Sequence, residues 1–89
     1  MITNPSFEIV DTVGEYFAVP VGDMAKQFNG IITLTEAAVF LLEQMRTTDK
    51  KVDDLIDALL SEYDITYKQA KEDVMKAVET FSSLGLVIS

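Results

Sequence analysis

The 89-residue chain carries 15 acidic and 7 basic residues, for a net charge of −8, and it contains neither cysteine nor histidine. It is long enough for one domain with a modest core, and its charge opposes binding to nucleic-acid phosphates or to an anionic membrane surface. The two missing residue types exclude disulfides, thiolate nucleophiles, histidine bases and the usual zinc sites.

The first residues lack the basic and apolar segments of a signal peptide, and no apolar run approaches the roughly 20 residues that a membrane span requires. We therefore expect a single cytoplasmic domain over residues 1–89, with neither a membrane nor a nucleic acid as its partner.

The first third of the chain is rich in Phe, Tyr, Val and Ile, which favours β-strands. Two strands are predicted at Phe7–Asp11 and Glu15–Val19, joined by a turn at Val13-Gly14-Glu15. A loop over residues 22–29 leads to a third strand at about Gly30–Leu34, which holds no charge and no proline. As an edge strand it would present unpaired N–H and C=O groups to another chain.

Helical periodicity begins after Thr35, whose hydroxyl can cap a first helix that is apolar on nearly every side. A second helix is predicted from near Thr48, because the apolar residues from Val52 to Tyr63 follow amphipathic spacing without a miss. The third begins at the capping-box pattern Thr66-Tyr67-Lys68-Gln69 and ends before Gly85. This order predicts an α+β fold of the winged helix-turn-helix type, with a three-stranded antiparallel N-terminal sheet followed by three helices.

No set of residues in the sequence suits catalysis. The acidic clusters Asp53-Asp54-Asp57 and Glu72-Asp73 fall on polar helix faces, where carboxylates are normally solvated. The serines have no base to activate them, and no calcium-loop or phosphate-loop spacing is present. We therefore expect a binding protein that is not an enzyme and that uses no metal or other cofactor.

The third helix offers one wall of a groove beside the third strand. Its inward stripe is centred near Val74, Ala77 and Phe81, and Met75 and Val78 widen that stripe on one flank. A flexible Met suits a surface that adapts to a partner, and Lys71 on the same flank could pair with an acidic peptide. The alternative interpretation is that Met75 marks only the edge of the core.

Three segments carry a resemblance to a known family: Ile31–Glu43, Leu55–Asp64 and Glu72–Leu86. They resemble, in turn, the strand, cap and apolar helix, the second helix, and the third helix with its Leu-x-x-x-Gly-Leu ending of the pyrroloquinoline quinone biosynthesis protein D family. The resemblance covers about residues 7–88. Thr35 stands where the family often has Asn, and the segment before the third strand is longer, which indicates a relative that need not serve the quinone pathway.

The resemblance implies that the chain binds the leader segment of a ribosomally synthesised precursor peptide. It would present that peptide to a modifying enzyme, such as a radical S-adenosylmethionine enzyme. The leader would add as a strand beside the third strand and against the third helix. The peptide-binding positions that the resemblance implies are Ile31, Ile32, Thr33, Leu34, Lys71, Val74, Met75, Val78 and Ser82.

Two other functions match parts of the sequence. A DNA-binding winged helix has the same order of elements, but the net charge and the mixed charge of the third helix oppose it. A carrier protein would be similarly small and acidic, but it needs a modifiable serine in an Asp-Ser-Leu setting. Neither Ser61 nor Ser82 has that setting, and Ser6 lies in the strand region.

Overall fold

The computed structural model describes residues 1–28, 30–46 and 48–88. Asn29 and Thr47, which belong to predicted loops, and Ser89, the last residue of the predicted domain, lie outside the described residues. The elements in chain order are β1 (Ile2–Thr3), β2 (Phe7–Thr12), β3 (Glu15–Pro20), α1 (Met24–Gln27), β4 (Ile32–Leu34), α2 (Glu36–Gln44), α3 (Val52–Glu62), α4 (Tyr67–Leu84) and β5 (Val87–Ile88).

Strands β2, β3 and β4 form a three-stranded antiparallel sheet in that order, which confirms the predicted α+β class. Residues Val13 and Gly14 connect β2 to β3, and both have positive φ angles, of 51° and 81°. Strand β4 is shorter than predicted and begins at Ile32. Continuing its register with β3 would place Gly30 opposite Pro20, which has no N–H for the ladder.

Side-chain caps set the starts of two long helices. Thr35 Oγ1 accepts the Ala38 N–H at 3.1 Å before α2, and Thr66 Oγ1 accepts the Gln69 N–H at 3.1 Å before α4, as the sequence predicts. The Gln69 amide donates to Asp73 at 2.8 Å, so its side chain runs along the helix and only the Thr66 half of the capping box forms.

Helix α3 begins at Val52, so the predicted start near Thr48 is wrong. The backbone before it is engaged by the start of the chain: the Lys50 N–H donates to the Met1 carbonyl, and the Met1 ammonium donates to the Lys50 carbonyl, each at 2.8 Å. The carboxylate of Asp54 then accepts the Lys51 N–H at 3.0 Å and closes the first turn.

Strands β1 and β5 form a second, two-stranded antiparallel sheet, which pairs Ile2 with Ile88 and Thr3 with Val87. The Thr3 N–H also donates to the Met45 carbonyl at 3.0 Å, and the Thr3 hydroxyl donates to the Leu42 carbonyl at 2.6 Å. The first residues of the chain are thereby fixed to the end of α2.

The core lies between the inner face of the three-stranded sheet and helices α2, α3 and α4. Burying each of its larger aliphatic side chains contributes about 1.5–3 kcal/mol. Among the described residues, no helix is both long enough and apolar enough to cross a membrane. The buried hydrophobic residues are Phe7, Ala18, Leu34, Leu41, Leu42, Met45, Leu55, Ile56, Leu59, Ala70, Val74, Phe81, Leu86 and Val87.

Candidate functional site

Strand β4 is an edge strand. Residues Ile32–Leu34 pair with Ala18, Phe17 and Tyr16 of β3 along one side. In the part of the chain that the structure describes, no strand pairs with the other side of β4. Such an edge has backbone donors and acceptors available to an added strand.

A groove of about 460 Å³ lies between this strand and α4. The floor comes from the start of α2, and side chains of α3 and of the segment after α4 complete it. Most of the lining is apolar, which is typical of a site that buries part of a ligand. The lining residues are Ile32, Thr33, Leu34, Thr35, Ala37, Ala38, Leu41, Leu59, Asp73, Lys76, Ala77, Thr80, Phe81, Leu84 and Leu86.

The α4 wall combines an apolar base with a polar rim. Phe81 is buried at the base and Ala77 is half-buried, whereas Asp73, Lys76 and Thr80 are exposed along the rim. Their spacing of three and four residues places these side chains on one side of the helix.

Small side chains leave the groove open. Ala77 has only a methyl group, and the Thr80 hydroxyl donates to the Lys76 carbonyl at 3.0 Å, so it turns toward its own backbone. Lys76 and Asp73 are the charged residues of the lining, one of each sign. The groove therefore has little net charge, although the chain as a whole is acidic.

The structure places three of the four predicted strand residues in the groove. Ile32, Thr33 and Leu34 all line it, and Leu34 also belongs to the core. Ile31 precedes β4, is 59% exposed and is not part of the lining. Val74, predicted on the helix wall, is completely buried in the core beneath it.

The predicted flank of the helix faces away from the groove. Lys71, Met75, Val78 and Ser82 are absent from the lining, and Met75 is 51% exposed elsewhere on the surface. At about 100° per residue, Met75 lies roughly 200° around the helix from Asp73, on the other side of the buried stripe. The predicted flank therefore does not line this groove, and its part in peptide binding stays a prediction.

The sequence favoured this flank because a helical projection finds the buried stripe of a helix but does not distinguish the two borders of that stripe. Met75 and Val78 marked the border that is richer in large apolar residues. A groove needs the opposite property, because large side chains would fill it. The small residues Ala77 and Thr80 were the available signal for the groove side.

Comparisons with known proteins agree with this architecture. Residues 26–87 match the family described as coenzyme PQQ synthesis protein D (PqqD). No curated protein matches the chain. Among solved structures, the chain is similar to "TbiB1 in Complex with the TbiA(beta) Leader Peptide", with a TM-score of 0.72 and 12% identity over 97% of this chain and 93% of that chain. At that identity the likeness establishes a shared fold. Since the family match spans well over half of the chain, this chain belongs to the coenzyme PQQ synthesis protein D family.

Proposed function

We propose that this chain binds the leader segment of a ribosomally synthesised precursor peptide and presents it to a modifying enzyme. The observation that carries the proposal is an open, largely apolar groove beside the unpaired edge of β4. Membership of the PqqD family supports it, as does the likeness to TbiB1, whose solved structure is a complex with a leader peptide.

An added strand would contact both the edge of β4 and the apolar interior of the groove. Its backbone would bond to the free edge at Ile32–Leu34, which supplies affinity without regard to sequence. Alternate side chains of the added strand point to the same face, so every second residue would enter the groove beside Ala77 and Phe81. Apolar side chains at those alternate positions would bind best, and they would give the site its selectivity.

The rim residues of α4 would then contact the peptide side chains that remain near solvent. Lys76 and Asp73 provide one cation and one anion about a helical turn apart, and Thr80 lies on the same rim. The proposed site therefore consists of the β4 edge with Asp73, Lys76, Ala77 and Thr80. The flank with Met75 and Ser82, which the sequence resemblance implies, is the competing assignment.

The chain would do no chemistry in this role. By holding the leader, it would raise the local concentration of the attached core peptide near the enzyme, and millimolar effective concentrations are typical of short flexible tethers. A radical S-adenosylmethionine enzyme is the partner class that the family resemblance suggests.

Two tryptophan variants on α4 separate the two flanks. Thr80 and Ser82 are both exposed, small and two residues apart, but they lie roughly 200° apart around the helix. We expect Thr80→Trp to fill the groove and to weaken leader binding at least tenfold, and Ser82→Trp to leave it within twofold. The dissociation constant is measured by fluorescence anisotropy of a labelled leader peptide. Its sequence is the one that the short precursor gene nearest to this chain's gene encodes.

Circular dichroism and the urea midpoint of each variant provide the folding control. The opposite pattern, a loss with Ser82→Trp alone, would move the site to the Met75 flank. Unchanged affinity in both variants would exclude this helix as a wall of the leader site.

A further inference from the structure

A second recess lies on the other side of α2 from the groove. Its lining consists of three aromatic rings, two carboxylates and one valine. The two recesses share no lining residue. The second is lined by Tyr16, Glu36, Val39, Phe40, Glu62 and Tyr63.

The aromatic side chains of this recess are fixed by the fold. Tyr16, Phe40 and Tyr63 are half-buried and pack against the core. The rings of Phe40 and Tyr63 meet edge to face, with centroids 6.0 Å apart and an interplanar angle of 89°. Aromatic pairs favour such an arrangement at separations of about 4.5–7 Å. The rings come from β3, from α2 and from the residue that follows α3, so the fold itself brings them together.

The recess is also electronegative. Glu36 and Glu62 are exposed at its mouth, and none of the described residues that line it is basic. Partial burial, together with the charges of Glu36 and Glu62, raises the pKa of Tyr63 above its ordinary value. This shift agrees with both carboxylates lying close to the ring.

We propose that this recess binds the guanidinium or ammonium group of an Arg or Lys side chain that a partner protein presents. A cation over an aromatic face is attracted by the negative potential of the ring, and Arg takes part in such contacts most often. The two carboxylates at the mouth would add charge-assisted hydrogen bonds to the same group. The combination fits a cation and disfavours an acidic or a neutral polar group.

This site is independent of the proposed leader groove, because α2 separates the two. Ala37, Ala38 and Leu41 of α2 line the groove, whereas Glu36, Val39 and Phe40 line the recess. A partner protein could therefore dock its cation here while the groove is occupied. The proposal holds whether or not the groove binds a leader peptide.

The test is an NMR titration of the ¹⁵N-labelled chain with N-acetyl-arginine amide. N-acetyl-citrulline amide is the matched probe, because it has nearly the same shape and no charge. We expect the arginine probe to shift amides at the start of α2 and the end of α3, with at least fivefold higher affinity than the citrulline probe. Equal affinity for the two probes, or shifts confined to other elements, would overturn the proposal.

Variants test the two components of the recess. We expect Glu36→Gln with Glu62→Gln to weaken arginine binding at least threefold. The control pair Glu72→Gln with Glu79→Gln, on the exposed face of α4, changes the net charge equally. Because salt screens the interaction between exposed charges that are far apart, we expect this pair to leave the affinity within about 1.5-fold. Equal weakening by both pairs would show that the recess has no specific role.

Phe40→Leu should weaken arginine binding about two- to fivefold, which corresponds to the cation–π contribution at a partly exposed site. Unchanged affinity in a variant that keeps a native amide spectrum would remove the aromatic component. Thr80→Trp should leave arginine binding intact, so failure at the recess and failure at the groove are distinguishable.

Discussion

Among the residues that the structure describes, Val13 has the backbone conformation that least suits its side chain. It occupies the first of two positive-φ positions in the β2–β3 turn, with φ of 51°, and Gly14 occupies the second. A β-branched residue is uncommon in the left-handed region, because its Cβ crowds the following carbonyl oxygen. The turn was predictable from its glycine and from the flanking strands, but the conformation of Val13 was not.

We expect Val13→Asn to raise the free energy of unfolding by about 1 kcal/mol, because Asn-Gly is the favoured pair for a two-residue hairpin turn. The Val13 side chain is 98% exposed, so its removal sacrifices no packing. Urea denaturation measures the change. Thr12→Asn, one residue earlier in β2, is the matched control and should not stabilise the chain. Equal effects at the two positions would show that Val13 is not strained.

The roles of several other residues at helix ends were predictable from the sequence, because they depend on local contacts. The hydroxyls of Thr35 and Thr66 each cap a helix through a bond that spans three residues, and Gly85 takes the left-handed conformation that ends α4. Each of these depends only on neighbours in the sequence. The orientation of Met75 depends instead on which side of α4 the sheet covers, and that is set by packing across the whole chain.

At the scale of elements, the three long helices were predictable and the shortest elements were not. Helix α3 buries Leu55, Ile56 and Leu59 at the spacing that the sequence displays. Helix α1 has four residues, and β1 and β5 have two each, too few to produce a period. Strands of that length exist only because a distant partner supplies their hydrogen bonds.

Asn4 contributes to holding the chain start in place. Its side-chain amide donates to the Gly85 carbonyl at 2.9 Å, and its side-chain oxygen accepts the Ser6 N–H at 2.9 Å. We expect Asn4→Ala to lower the free energy of unfolding by about 1–3 kcal/mol, because both partners lose a bond in a partly buried place. Thermal and urea denaturation measure this loss.

Asn4→Asp tests the bond to Gly85. It keeps an acceptor for the Ser6 N–H, but it replaces the donor to Gly85 with a carboxylate oxygen that the Gly85 carbonyl repels, so its cost should be at least that of the alanine variant. If Asn4→Ala stays within about 0.3 kcal/mol of the parent chain, a cost well below that of a typical lost hydrogen bond, the Asn4 side chain does not anchor the chain start.

At the scale of the whole molecule, the net charge of −8 separates this fold from winged helices that bind DNA. Helix α4 carries Lys68, Lys71 and Lys76, but Glu72, Asp73 and Glu79 lie among them. Affinity for DNA depends on Lys and Arg residues that neutralise phosphates, and no continuous basic face is available on this helix.

We therefore expect no mobility shift with a short DNA duplex at about 20 mM salt, where phosphate contacts act most strongly. A basic winged-helix protein run on the same gel is the positive control. A retarded band that disappears steeply as salt is added would contradict this expectation and would favour DNA binding as the function.

The pairing of β1 with β5 has a consequence for engineering. Because Ile2 lies opposite Ile88, the chain enters and leaves the fold through one two-stranded stem, whose backbones are about 5 Å apart. A host loop with ends at about that separation could accept residues 1–88, which retain the Met1 carbonyl bonded to Lys50, as a cassette with little stretching of either chain. The groove and the aromatic recess would then be transplanted together, and the binding proposed for each could be measured in any host that tolerates the graft.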